Sequence, residues 1–261
     1  MARVTPGLRL DGVRKAVLSP GDGCLMQPAA PAQAYAELAA RYGVTVMERT
    51  PVSRIQRAAG GFELSHEGQT WHAEQIVIAA NAFAGPLLED LGIRLPSYPY
   101  PRHVFSLAPA PPDLSPTMPI VVHQDEDLML RHDGQIVVLI CGLRERSTLV
   151  PDMTPEGFEV VRDRVARRVD TQGAVVSPLW SGIRAMTPDR RALIGAVPGV
   201  AGAWCAIGFS GHGIMHAPAV GLAMAEWLRT GRPRRFDLTP LAPDRLGVPA
   251  GPAPMLEPGH Q

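Results

Sequence analysis

The chain has 261 residues, 46% hydrophobic and 19% charged, with a formal net charge of zero. That length and apolar fraction suffice for one large domain or two interleaved ones. The neutral balance lacks the electrostatic footprint that nucleic acid or an anionic membrane would require, so neither partner class is expected.

Cys24, Cys141 and Cys205 lie far apart and outside any CxxC pair. This argues against a disulfide framework or a zinc site and makes a reducing cytoplasm the default. Met1 is not followed by a charged n-region and an apolar run, so no secretory signal is read. The most apolar windows, around Ile76 to Ala80 and Val220 to Leu228, are too short or too interrupted to cross a bilayer. Lys15 is the only lysine, which leaves almost no ammonium for catalysis.

Residues 1–30 read as irregular, with a strong turn at Ser19-Pro20-Gly21-Asp22-Gly23. A helix is predicted from Pro31, with Tyr35, Leu38 and Tyr42 at helical spacing, closed by Gly43. Val44 to Glu48 reads as a strand, and the segments to Ile55, Phe62 to Ser65 and Thr70 to Ala73 as an antiparallel meander with glycine turns. Gln75 to Ala80 is a continuous apolar run, the pattern of a strand buried on both faces, and Phe83 to Leu91 a short helix.

From Leu95 the character changes. Proline is dense from Pro96 to Pro119, followed by strand candidates at Ile120–His123, Leu128–Arg131 and Gln135–Leu143. A charged helix is expected from Pro155 to Val169, capped by Thr154. This pattern predicts a sheet-rich domain at 94–176 inserted into an α/β domain formed by 25–93 and 177–246. An irregular segment at 1–24 precedes it, and a flexible tail at 247–261 follows.

The stretch richest in chemistry is Ala203 to Gly231. Trp204 to Ile207 is a buried-strand candidate, Gly208-Phe209-Ser210-Gly211-His212-Gly213 a tight turn, and Ile214 to Thr230 an apolar helix. Pro218 is expected in its opening turn and Gly231 at its C-cap. Such a turn gathers free backbone N–H groups at the positive end of the helix dipole, which stabilises an anion or an electron-rich edge. The glycine order is not GxGxxG, and no acidic residue follows at the ribose-binding offset. A ring edge that becomes negative, such as the N1–C2=O side of a reduced flavin, suits it. A close strand–helix contact needing small residues is the alternative, and the pattern leaves both open.

Arg184, in Leu179-Trp180-Ser181-Gly182-Ile183-Arg184-Ala185-Met186-Thr187-Pro188-Asp189, stands at a strand end where a guanidinium can grip a carboxylate bidentately. The alternative is a structural ion pair, perhaps with Asp189. The histidines lack metal-ligand spacing, so no metal site is expected.

WSGIRAMTPDRRALIG followed by GAWCAIGFSGHGIMHAPAVGLAMAEWL resembles the C-terminal part of the D-amino-acid-oxidase-type FAD-dependent oxidoreductase family. That family includes glycine and sarcosine oxidases and the β-subunits of opine and hydroxyproline dehydrogenases. YAELAARYGVTVMERTPVSRI and AEQIVIAANAFAGPLLEDLGIRLP resemble its middle section, and the likeness runs from about Ser19 to Leu246.

The resemblance implies FAD as cofactor, an incomplete Rossmann-like FAD domain and an inserted antiparallel substrate domain. It places Val52 at the adenine and Ala80 and Asn81 near the cofactor. Asn81 stands where the family usually has a small residue. Gly208, Gly211, Gly213 and Ile214 would face the flavin ring, with Thr187 and Asp189 shaping that region, and Arg184 and His212 are the catalytic candidates.

The implied activity is oxidation of the C–N bond of an amino acid or secondary amine. Met186 stands near where some sarcosine oxidases carry a flavin-linking cysteine, and Met215 where they carry an oxygen-activating lysine. Both departures favour a dehydrogenase with non-covalent flavin. The family's N-terminal GxGxxG unit has no counterpart here. The chain is therefore expected to be a fragment, a decayed relative, or a subunit whose partner supplies that unit.

Overall fold

The computed structural model describes residues 4–23, 27–142, 149 and 153–247. Cys24, Leu143 and the expected tail beyond Gly247 lie outside them. The chain divides into two units: residues 18–97 with 185–247, and residues 4–17 with 98–184.

The first of these, the α/β unit, opens with α1, Ala29–Arg41. The helix starts two residues before Pro31, which still falls in the first turn, where a missing N–H costs no helical bond. No residue of α1 is buried, and its apolar stripe of Tyr35, Leu38 and Tyr42 faces solvent. The strand expected at Val44 to Glu48 does not form. A strand exists only through ladder partners, and none stands beside this segment among the described residues. Val44, Val46 and Met47 accordingly remain about half exposed.

The meander forms as expected, with β1 Arg54–Ala58, β2 Gly61–His66 and β3 Gln69–Ala73 in antiparallel register. β4 is short, Ile76–Ile78. The expectation that it is buried on both faces is corrected: Ile76 and Ile78 point into the core, whereas Val77 is 44% exposed. A 3-10 turn at Asn81–Phe83 leads into α2, Ala84–Glu89.

In the second unit, the β-unit, five strands lie in the order β6-β7-β8-β5-β9. They are β5 Tyr98–Ala108, β6 Val121–His123, β7 Leu128–Asp133, β8 Ile136–Cys141 and β9 Val175–Met186, the last ending in the α/β unit. β5 has no counterpart in the sequence reading, because Pro99 and Pro101 each remove a ladder donor. Among the described residues, pairing with β8 runs from His103 to Leu107, so neither proline is called on to donate to that strand.

α3, Pro155–Ala166, begins as expected, with Thr154 Oγ1 accepting from the Gly157 N–H at 3.0 Å. It closes the core over Phe105, Leu107, Leu128, Leu130 and Leu139 through Val161 and Val165.

The α/β unit resumes with β10 Leu193–Ala196, β11 Ala203–Ile207 and α4 Gly213–Thr230. β11 pairs antiparallel with β10 and parallel with β4. Its inward residues join Ile55, Phe62, Ile76, Ile78 and Leu88 in one core. Burial pushes both the Cys141 and the Cys205 thiols up to about 12, so neither is a nucleophile. No helix among the described residues is long and apolar enough to cross a membrane.

Candidate functional site

Parallel pairing gives β4 and β11 a common carboxyl end. Ile78 pairs with Cys205, so the chain leaves β4 into Ala79, Ala80 and Asn81 on the side where it leaves β11 into the glycine turn. Ligands of open α/β sheets bind at that end. Ala80 caps the 3-10 turn and Asn81 adopts φ +49°. The left-handed region is one that Asn tolerates, which accounts for an amide side chain where the family carries small residues. Val52 precedes β1 and packs, half-buried, at the margin of the core.

The glycine turn is built by backbone constraint. Gly208 has φ +69°, and a Cβ there would lie 2.5 Å from Thr187 Cγ2. Ser210 follows at φ +52° and Gly211 at φ +91°. The Ser210 N–H donates to Ala185 O at 2.9 Å, and the His212 N–H to Phe209 O at 2.9 Å. The steric alternative therefore holds for Gly208, whose backbone rests on a buried threonine.

It does not account for the head of α4. His212 is the N-cap residue, yet no side chain caps the helix. Gly211 and His212 are exposed, Ile214 is 47% exposed and Met215 65%. The first-turn N–H groups thus open at the carboxyl end of β11 without side-chain partners. Pro218 falls in the second turn, not the opening one as expected, and leaves the Ile214 carbonyl without a helical donor. Gly231 closes the helix at φ +77°, as predicted. The carboxyl-terminal half anchors it: Ala223 and Met224 are buried with Ile194 and Leu238, and Trp227 packs against that cluster.

Asp189 does not pair with Arg184. Its carboxylate accepts from Arg245 Nε and Nη2 at 2.9 Å each, and from the Arg191 N–H at 3.1 Å. The Arg245 hydrogen bond, with lesser help from the Arg191 amide, holds the Asp189 carboxyl below the usual aspartate range. A depressed folded pKa contributes stability above the unfolded value, near ~4, that is lost as the pH falls through the folded one. Asp189→Asn is expected to lower stability by about 1 kcal/mol at pH 7, a figure reduced by its contact with solvent. Denaturant melts of both proteins should converge as the pH falls through the depressed Asp189 value, and a gap that persists in strong acid would place the effect elsewhere.

Arg184 sits near the end of β9 and is half-buried. Burial lowers its guanidinium pKa, and the neighbouring Arg102 lowers it further, with Asp127 and Tyr100 acting in opposition. Among the described residues no carboxylate pairs with it. Arg102 Nη1 instead pairs with Asp127 at 2.5 Å, and the Tyr100 hydroxyl donates to Asp127 Oδ2 at 3.1 Å. Tyr100, Arg102 and Asp127 were absent from the sequence reading. Tyr100 and Arg102 belong to the proline-bearing strand β5, and Asp127 precedes β7 in no motif.

His212 stacks on His216, ring centroids 6.2 Å apart. No group of three His, Cys, Asp or Glu among the described residues is placed to hold a metal.

A family model described as FAD dependent oxidoreductase (DAO) matches residues 1–227. The chain is 30% identical over 239 residues to the glycine oxidase of Geobacillus kaustophilus, covering 91% of this chain and 62% of that protein. It is 28% identical over 263 residues to the mitochondrial dimethylglycine dehydrogenase of Rattus norvegicus, covering 93% of this chain and 30% of that one. The crystal structure of the Geobacillus glycine oxidase superposes with a TM-score of 0.67 at 28% identity, over 82% of this chain and 57% of that one. L-proline dehydrogenase from P. horikoshii shares the fold, with a TM-score of 0.70 at 23% identity, over 84% of this chain and 59% of that one. The chain thus spans less than two thirds of the length of these relatives. With the family model matching residues 1–227 and the fold shared with a solved relative, this chain belongs to the DAO family of FAD-dependent oxidoreductases.

Proposed function

We propose that this chain forms part of an FAD-dependent oxidoreductase that oxidises the C–N bond of an amino acid or secondary amine, and that it works as a dehydrogenase. The observation that carries the reading is the open, uncapped head of α4 at the carboxyl end of a parallel strand pair. Backbone donors fixed there before reaction stabilise charge that develops on a ring edge without reorganising. The residues present suit that cofactor: the turn of Gly208, Gly211, Gly213 and Ile214 would offer backbone to the ring, and Ala80, Asn81 and Val52 would help to hold the rest of it. A flavin held there would supply the electron sink for a two-electron oxidation at the substrate's α-carbon.

Arg184 grips the substrate carboxylate and so orients the α-carbon. His212, exposed at the N-cap, is the polar side chain nearest along the chain to these amides. By the resemblance, Met215 stands where some sarcosine oxidases carry an oxygen-activating lysine, and Lys15 is the sole lysine, which supports slow reaction with oxygen. The flavin-loaded protein is expected to reduce an artificial electron acceptor with N-methylglycine or N,N-dimethylglycine at least about tenfold faster than it consumes oxygen. Equal rates on an oxygen electrode would overturn the dehydrogenase reading, and failure of both substrates to bleach the flavin anaerobically would overturn the amine reading.

A second reading is favoured by one observation. Tyr35, Leu38, Tyr42, Val44, Val46, Met47 and Val77 are exposed large apolar groups of the α/β unit, the kind of surface that a partner would cover. This chain then requires a mononucleotide-binding βαβ unit, supplied by a partner subunit, to hold FAD. Titrating FAD into the isolated chain while following flavin fluorescence separates the two: tight quenching favours self-sufficiency, its absence the partner.

A further inference from the structure

The β-unit contains a charge arrangement that bears on how Arg184 stays available. Side chains alternate across a strand. His103 on β5 bonds Ser181 on β9, Nδ1 to Oγ at 2.7 Å, so the odd-numbered residues of these neighbouring strands share one face there. Tyr100 and Arg102 on β5, and Arg184 on β9, therefore share the other.

On the far side of β5 the register runs His103↔Cys141 and Leu128↔Cys141. One step further along, Arg102, Gly142 and Asp127 form a row across three strands. Gly142 makes the row possible, because a Cβ there would strike Asp127 Oδ2, Tyr100 Oη and Arg102 Nη1. Over that gap Arg102 and Tyr100 take hold of Asp127. The Arg102 guanidinium also lies over the Tyr100 ring, 5.3 Å from its centroid, and its Nε is buried with no hydrogen-bond partner among the described residues.

Arg164, a further guanidinium among the described residues nearby, is occupied by the Gly142 carbonyl at 2.7 Å. A half-buried guanidinium beside an unclaimed aspartate would normally pair with it. Here the carboxylate is claimed by the arginine next to it.

We propose that Arg102 is a positioning residue that sequesters Asp127, so that Arg184 remains an uncompensated cation able to bind a carboxylate. The inference deepens the proposed function and rests on Arg184 being the carboxylate-binding group. Removing Arg102 releases Asp127 to pair with Arg184, which cancels the site's charge although Arg102 itself touches no substrate. Removing Asp127 as well restores the lone cation.

The test uses the full chain, with acetate as the probe and its dissociation constant read by saturation-transfer NMR at low ionic strength. No flavin is needed. Arg184→Met defines the loss of the site. Arg102→Met is expected to weaken acetate binding about tenfold or more, in keeping with the loss of a charged hydrogen bond. The double variant Arg102→Met/Asp127→Asn is expected to return to within about threefold of the parent. A merely structural role for Arg102 would leave the double variant as weak as the single one, or weaker, and that result overturns the proposal.

Unchanged binding in Arg102→Met, with binding lost in Arg184→Met, also overturns it while leaving the Arg184 reading intact. Unchanged binding in Arg184→Met, or no acetate binding by the parent, fails the Arg184 reading and the proposal with it. Should Arg102→Met not fold by circular dichroism, Asp127→Asn alone decides. It is expected to bind acetate at least as tightly as the parent, and weakened binding would sink the idea.

Discussion

Replacing Arg184 with alanine is expected to raise the substrate KM by about ten- to a hundredfold while leaving flavin content unchanged. The magnitude follows from losing a charge-assisted, bidentate pair, worth about 1.5–3 kcal/mol when the partner is charged. The split between KM and flavin content follows from the fold. Arg184 belongs to the β-unit, whereas the backbone donors assigned to the ring edge belong to the α/β unit, at the head of α4. Steady-state kinetics on N-methylglycine, with flavin absorbance of the same samples, provides the check. An unchanged KM would remove Arg184 from substrate binding, and a parallel loss of flavin would make it a structural residue.

Gly208→Ala should be strongly destabilising, at about 2–6 kcal/mol. Two costs combine. A non-glycine residue at φ +69° carries left-handed strain of about 1–3 kcal/mol. The new Cβ would also meet Thr187 Cγ2 at 2.5 Å, and overpacking of that kind costs about 1–3 kcal/mol. Thr187 cannot step aside easily. It is fully buried, and its hydroxyl donates to Arg191 O at 2.8 Å. Urea unfolding of the two proteins measures the difference. Gly221 is the control, since a Cβ there meets nothing within 4 Å; Gly221→Ala should be neutral or mildly stabilising, as alanine is in a helix. Equal stabilities for Gly208→Ala and the parent would show that the turn is not held against Thr187.

Local signals located most elements. The meander, α3 with its threonine cap, and α4 with its glycine stop were all legible, because each is dictated by neighbours a few residues away: a turn glycine, a hydroxyl at the N-cap, a period of 3.6. Two misreadings share a cause. Val44 to Glu48 carries strand composition without a strand, and Tyr98 to Ala108 is a strand despite Pro99 and Pro101. Strand formation is decided by what lies alongside, and that information is not local.

The candidate site divides in the same way. Glycines before an apolar helix, an arginine before Met-Thr-Pro-Asp and the family likeness can be read from the amino-acid order alone, because backbone conformation and motif spacing are properties of consecutive residues. Only the tertiary structure showed that the head of α4 stays uncapped and open, that Asp189 serves Arg245, and that Arg102, Gly142 and Asp127 meet in one row. Those contacts join residues far apart along the chain, and the register of a sheet, not the order of its residues, decides which charges become neighbours.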